Sequence, residues 1–172
     1  MTVSSWRDEL RLSQRKIEVL SDREATRRLN DPVSSLELDP LFVLNSDYPL
    51  NKAAKVMFNK SVEFALVQDD PDTILGVLRR DAVHAALISS GDLKGLTVAN
   101  VMDRNICVEP DSATISEVLN RMAWGGCCCA VLIDSKGEPV GLASPKTLMK
   151  AVSNILEGCD TIAERVSELL HR

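Results

Sequence analysis

Three consecutive cysteines, Cys127, Cys128 and Cys129, are the densest chemistry in this sequence; they could serve a metal, a redox reaction or a nucleophile. A structural zinc site takes Cys or His ligands from two segments at spacings such as Cys-x-x-Cys. The two isolated cysteines, Cys107 and Cys159, do not supply that pattern. A disulfide between neighbours would close a strained ring. A nucleophilic thiol needs a base beside it, and the two histidines are His84, in a predicted helix, and His171, next to the C-terminus. On a strand, Cys127 and Cys129 would face one way and Cys128 the other. The expectation is core packing by small apolar side chains, with redox sensing or thiol–metal binding as the alternative. No Gly-rich loop of the P-loop type is legible, so no catalytic residue and no metal site is assigned.

The composition narrows the partners. Of 172 residues, 45% are hydrophobic and 26% charged, which suits a globular chain. Aromatics are 3% and the net charge is −5, so repeated base stacking and phosphate neutralisation are both poorly served and a nucleic-acid partner is not expected. No apolar run approaches the ~18 residues of a membrane span, and the start, Met1 to Glu9, turns charged before a signal-peptide core could form. Five cysteines without framework spacing suit a reducing compartment, so the expected location is the cytoplasm.

The elements that must position any site come in two copies. At an offset of 65 residues, Val43 falls on Val108, Leu50 on Ile115, Ala53 on Val118 and Met57 on Met122; without a gap, Ala65 then meets Ala130, Asp69 meets Asp134 and Gly76 meets Gly141. Duplication of this kind sets the architecture. Each copy opens with a short strand (Phe42 to Leu44; Ile106 to Val108) and a polar turn with Pro49 or Pro110. A helix follows, with apolar residues at i, i+3, i+4 and i+7: Leu50, Ala53, Ala54, Met57, and Ile115, Val118, Leu119, Met122. Gly125-Gly126 marks the end of the second of these helices. Two strands joined by a hairpin turn come next: Val62 to Val67 then Ile74 to Leu78, and Cys127 to Ile133 then Val140 to Ala143. A second helix closes each copy, Asp81 to Ile88 and Lys146 to Leu156.

This β-α-β-β-α string, the lead-in Val101-Met102-Asp103-Arg104-Asn105 and the segment Val131 to Gly141 resemble the CBS domain (named after cystathionine β-synthase), and the tandem resembles a CBS pair, or Bateman module. The resemblance spans Leu41 to Leu156. It implies an α/β (α+β) fold of two repeats with pseudo-two-fold symmetry and dimerisation through helix faces, to which the flanking segments add extra helices at both ends. The corresponding division is an N-terminal helical extension (1–40), repeat one (41–95), repeat two (96–157) and a C-terminal helix (158–172).

The resemblance further implies a ligand motif: Gly, an apolar pair, Ser or Thr, two variable residues and Asp, serving close backbone approach, phosphate and ribose respectively. Both copies depart from it. Gly76-Val77-Leu78-Arg79-Arg80-Asp81 keeps the acid but is one residue short and has no hydroxyl; Arg79 or Arg80 would meet phosphate instead. Gly141-Leu142-Ala143-Ser144-Pro145-Lys146-Thr147 keeps the hydroxyl and adds Lys146, while Thr147 replaces the acid. Alternatively, Ser144 or Thr147 caps the helix that Pro145 begins. Adenine would lie between the copies against Val43, Val108 and Val131, unless these are simply core.

The implied function is a non-catalytic sensor that requires no cofactor, binds AMP, ADP or ATP as a regulatory ligand, and signals to an unidentified target protein as a homodimer. The alternative is a scaffold whose nucleotide pocket has degenerated. Outside the repeat, Ser21-x-x-Glu24 resembles a capping box, and Trp6, Leu10, Ile17, Leu20 and Leu29 offer a thin apolar stripe ending by Asp31-Pro32. Gly158 is expected to stop the last repeat helix, after which Thr161-x-x-Glu164 starts a short amphipathic one with Ile162, Val166, Leu169 and Leu170 on one face. Packing is the expected role of both segments, with relay to a partner as the alternative.

Overall fold

The structure, a computed structural model, describes residues 22–170, with side chains to Gly158. Residues 22–29 form α1, and the polypeptide turns at Asn30 before Asp31-Pro32. The stripe positions Trp6, Leu10, Ile17 and Leu20 lie outside the described residues.

The first copy runs β1 (Val43–Leu44), α2 (Leu50–Asn59), β2 (Phe64–Asp70), β3 (Thr73–Arg79) and α3 (Arg80–Ser90). The second runs β4 (Cys107–Pro110), α4 (Ile115–Gly125), β5 (Ala130–Ile133), β6 (Pro139–Ala143) and α5 (Pro145–Leu170). Each copy holds one three-stranded sheet, ordered β1-β2-β3 and β4-β5-β6. The first pair in each sheet is parallel and the second antiparallel, and the registers repeat: Val43 opposite Leu66 and Ala65 opposite Leu78 in one, Val108 opposite Val131 and Ala130 opposite Ala143 in the other.

Each sheet lays one face on its own helices. Leu50, Ala53, Met57 and Val83 pack with Ala65, Val67 and Leu78 in the first copy; Ile115, Val118, Met122 and Leu148 pack with Ala130, Leu132 and Ala143 in the second. The opposite faces meet between the copies, where Leu66 and Val77 join Cys129, Val131 and Leu142 in a fully buried cluster. Strands buried on both faces carry continuous apolar runs, as in Ala65-Leu66-Val67 and Ala130-Val131-Leu132.

The two sheets also exchange straps. The segment leading into the second copy pairs with the free edge of β3, Asp103 bonding reciprocally to Val77 at 2.8 and 2.9 Å. The segment leading into the first copy pairs with β6, Asp39 to Leu142 at 2.9 and 3.3 Å. An unpaired edge would expose a row of backbone donors and acceptors; each copy covers the other's edge with the chain that precedes it.

Three expectations are corrected. The cysteine run does not start the strand: β5 begins at Ala130, and Cys127 lies in the turn after α4, bonded to Cys107. Packing alone therefore describes buried Cys129 and leaves out Cys127. Second, α5 continues through Gly158 to Leu170. A Cβ at Gly158 would come within 2.6 Å of Arg28 Nη1, so this glycine admits α1 alongside the helix and does not end it. The side chains of the expected terminal stripe lie outside the described residues. Third, the glycine of each motif gives close approach to a strap, as described below.

Elsewhere local signals match local structure. Gly126 adopts the left-handed conformation, φ 62°, that closes α4. At the other end Thr114 caps the helix: the Glu117 amide donates to Thr114 Oγ1 at 3.2 Å, and the Thr114 amide donates to Glu117 Oε2 at 2.8 Å. Thr114→Ala removes both acceptor and box geometry and is expected to cost about 1 kcal/mol, measured by urea unfolding; a loss near zero would show that α4 is held by packing alone.

Candidate functional site

The backbone turn from β3 into α3 places Arg79 at the end of a strand and Asp81 in the first turn of a helix, a position that favours a carboxylate. Their side chains close a two-pronged ion pair: Arg79 Nε donates to Asp81 Oδ1 at 2.9 Å, and Nη2 pairs with Oδ2. Asp103, delivered by the strap, adds a second carboxylate 3.5 Å from Arg79 Nη1. The guanidinium beside it holds the Asp81 carboxyl below its usual range, and Asp81 in turn raises Arg79. Arg80, the next residue, pairs instead with Glu63 at 3.3 Å.

Arg79, Arg80 and Asp81 border an open cleft of about 520 Å³, lined elsewhere by Glu63, Phe64, Cys128 and Pro145. It is therefore bordered by both copies, and its polar rim comes from the first. Cys128 is half-buried there, its sulfur 4.0 Å from that of Cys129. The Cys129 thiol and, more weakly, Arg79 pull the Cys128 thiol below its ordinary value, whereas Cys128 and burial push Cys129 up.

The equivalent turn of the second copy is occupied by the protein itself. Ser144 is the N-cap of α5, its Oγ accepting from the Thr147 amide at 3.2 Å, with Pro145 as the first helical residue. Asp39, carried on its strap, accepts from the Ser144 amide at 3.2 Å and from Thr147 Oγ1 at 2.8 Å. Ser144 is 1% exposed. Lys146 stays exposed and approaches Glu63 at 3.9 Å, so the basic groups of both turns, Arg80 and Lys146, share one carboxylate oxygen.

Gly76 and Gly141 sit where the straps cross. A Cβ on Gly76 would collide with the carbonyl oxygen of Asp103, and one on Gly141 with the side chain of Leu38. The close approach that glycine permits is thus taken by protein backbone in one case and by a leucine in the other.

Val131 is fully buried between the sheets. Val43 and Val108 lie beside Leu66 and Val131 in register and so face the same side, yet they remain 48% and 42% exposed. They are edge positions at the mouth between the copies and do not border the Arg79 cleft. The groups that the sequence did not assign to this site are Asp39, Glu63, Asp103 and Cys128. Asp103 and Cys128 carried signals, one in the lead-in to the second copy and the other in the cysteine run, whereas Asp39 and Glu63 carried none. Among the described residues, no group of three or more His, Cys, Asp or Glu is arranged to hold a metal, and no helix is long and apolar enough to cross a membrane.

Comparison with known proteins follows this geometry. The family model of the CBS domain matches residues 98–154. The CBS domain of a bacterial CNNM/CorC-family Mg2+ transporter in complex with ATP superposes with a TM-score of 0.65 at 17% identity, over 79% of this chain and 96% of that one. The CBS domain of a membrane protein from Sphaerobacter thermophilus gives 0.65 at 16%, over 78% and 95%. CBSX2 in complex with AMP gives 0.57 at 21%, over 73% and 98%. No curated relative matches the chain.

Proposed function

We propose that this chain, whose two repeats share one topology and pack face to face and whose residues 98–154 match the CBS-domain model, is a non-catalytic regulatory module: it binds an adenosine nucleotide (AMP, ADP or ATP) between its repeats and passes occupancy to a partner protein. The observation that carries this reading is the cleft of about 520 Å³ with Arg79, Arg80 and Asp81 on its rim. The AMP and ATP complexes of similar folds support the choice of ligand.

The chemistry follows from the ion pairs. A phosphate entering the cleft offers Arg79 the same two-pronged acceptor that Asp81 now provides. Once released, Asp81 can accept from ribose hydroxyls. Asp103 belongs to the lead-in of the other repeat, so a change of partner at Arg79 loosens or tightens a contact between repeats. Ligand and no-ligand arrangements then differ in free energy, which is what regulation requires. Ser144, Lys146 and Thr147 form the weaker half-site, because Asp39 already occupies its donors. Of the residues expected to meet adenine, Val131 is fully buried and Val43 and Val108 lie outside the Arg79 cleft, so in this reading the base rests against Phe64, which borders it. The module works in the cytoplasm, requires no cofactor, and does not bind nucleic acid or insert in membrane.

Calorimetric titration of the full chain with AMP and ATP tests the assignment. Arg79→Ala and Asp81→Ala are each expected to weaken binding about tenfold, the scale of a charge-assisted hydrogen bond; affinity unchanged in both variants would move the site elsewhere.

A second reading has its own observation. Phe58, Ile88, Trp124 and Met149, all on helices, are 71%, 85%, 89% and 64% exposed. Apolar surface of this kind fits a homodimer formed through helix faces, which we include in the proposal. A dimer by sedimentation, with no melting shift from any adenine nucleotide, would leave the scaffold role as the better account.

A further inference from the structure

Cys107, at the start of β4, and Cys127, in the turn after α4, form a disulfide with Cα atoms 5.8 Å apart. Both residues are half-buried, so a small thiol can reach the bond. The fold does not need it. By the 65-residue offset the same junction in the first copy is built from Phe42 and Val62, without a cross-link and with the Lys60 ammonium 5.2 Å from the Phe42 ring. A covalent bond in one of two equivalent junctions is an addition to this architecture.

The bond lies at the stem of one group that contacts Arg79 of the cleft and of another that borders the cleft itself. Asp103 stands four residues before Cys107 and contacts Arg79 at 3.5 Å. Cys128 follows Cys127 directly and borders the cleft. Between these stems run weaker ties: Asn105 Nδ2 donates to the carbonyls of Gly125 and Gly126 at 3.3 and 3.0 Å, and the Cys128 amide donates to the Asn105 carbonyl at 3.4 Å. Gly125 makes room for the bridge, since a Cβ there would lie 3.0 Å from Cys127 Sγ. Once the covalent bond is gone, the strap is held by these exposed ties, by the Cys107 amide donating to the Cys129 carbonyl at 3.2 Å and by the Asp103–Val77 pair.

We propose that the Cys107–Cys127 disulfide is a reversible redox switch that sets how tightly the Arg79 cleft holds its nucleotide; this rests on the ligand reading above. The reductant is a small or protein dithiol. Its thiolate attacks one bridging sulfur and forms a mixed disulfide. The cysteine released leaves as thiolate and takes up the proton that the attacking thiol gave. The second thiol of the reductant then displaces the remaining cysteine, so two protein thiols form and the dithiol becomes a disulfide. Disulfides in reducing compartments are characteristically of this transient, sensing kind. With the bond closed, the stems of Asp103 and Cys128 are fixed and the cleft is preorganised; with it open, ordering them costs binding free energy.

The test uses the full chain, oxidised or reduced with dithiothreitol, its linkage confirmed by peptide mapping. Two readouts are taken: calorimetric affinity for AMP and ATP, and amide hydrogen exchange over residues 103–107 and 125–128. The oxidised form is expected to bind ~5-fold or more tightly, and both segments should exchange faster after reduction. Cys107→Ser should behave as the reduced form and ignore dithiothreitol. Equal affinities, or a reductant response that persists in Cys107→Ser, overturn the switch. If neither form binds AMP or ATP, the ligand reading fails, and hydrogen exchange decides the switch alone: faster exchange on reduction supports it, unchanged exchange overturns it. Failure of Cys107 and Cys127 to link under any oxidant also overturns it.

Discussion

Gly76→Ala is expected to destabilise the chain by about 3 kcal/mol, in the range of overpacking with an immovable neighbour. The added Cβ meets the carbonyl oxygen of Asp103, and that carbonyl is fixed because the Val77 amide donates to it at 2.9 Å while the Asp103 amide donates back to Val77 at 2.8 Å. Relief requires the strap to leave the β3 edge, which breaks both of these backbone hydrogen bonds. Gly141→Ala is the internal control. Its Cβ would lie 2.6 Å from Leu38 Cδ1, the end of a side chain that can rotate away, so a loss of about 1 kcal/mol is expected. Urea unfolding of both variants measures the difference. Equal losses would show that the Asp103 strap yields as easily as a leucine rotamer. Because this strap also carries Asp103 to Arg79, nucleotide affinity should fall in Gly76→Ala by more than in Gly141→Ala.

Leu66→Ala should cost about 2–5 kcal/mol, the range for a buried leucine truncated in a packed core. Leu66 is fully buried in the cluster shared by the two sheets, with Val77, Cys129, Val131 and Leu142. Its loss leaves a void between the repeats and not inside one of them, so both repeats should be destabilised together. Thermal unfolding is expected to remain a single transition at a lower midpoint. Two separated transitions, or a loss below ~1 kcal/mol, would mean that the repeats hold themselves up separately and that the face between them contributes little. That outcome would weaken the regulatory reading as well, since a ligand between independent units has nothing to couple.

Both effects arise where one repeat touches the other. Residues inside a repeat behave as their local pattern dictates. Met57 and Met122 lie one above each helix–sheet core because a 3.6-residue period puts them with Leu50 and Ala53, or Ile115 and Val118, on one helix face. Thr114 and Gly126 bound α4 through a cap and a left-handed turn, both of which depend on residues close in sequence. Ser144 is similar: the cap reading of its hydroxyl requires only Thr147, three residues on.

Signals failed where the deciding neighbour is remote in sequence. Gly158 looked like a helix stop, but Arg28 of α1 lies beside it and the helix continues. Cys127 looked like a strand residue beside Cys128 and Cys129, but its partner is Cys107, 20 residues earlier and across the β4–α4 connection. The glycines of the two ligand motifs face straps contributed by chain 27 residues beyond Gly76 (Asp103) and 103 residues before Gly141 (Leu38). Asp39 and Glu63, which occupy the donors and cations of the candidate site, carry no local pattern at all: a single carboxylate is the commonest kind of solvated surface residue.

The duplication, the order and kind of the elements within each repeat, and the helix residues that turn toward a sheet are all legible in the amino-acid pattern. Those properties depend on period and on capping, interactions between residues a few positions apart, and a string of letters records them directly. The ionic partners of Arg79, Arg80 and Lys146, the carboxylate that Thr147 donates to, the copy that keeps an open cleft and the two cysteines that are joined emerge only in the folded molecule. Each depends on how two sheets are set face to face and on where a strap crosses, and distances across that interface have no counterpart in sequence separation.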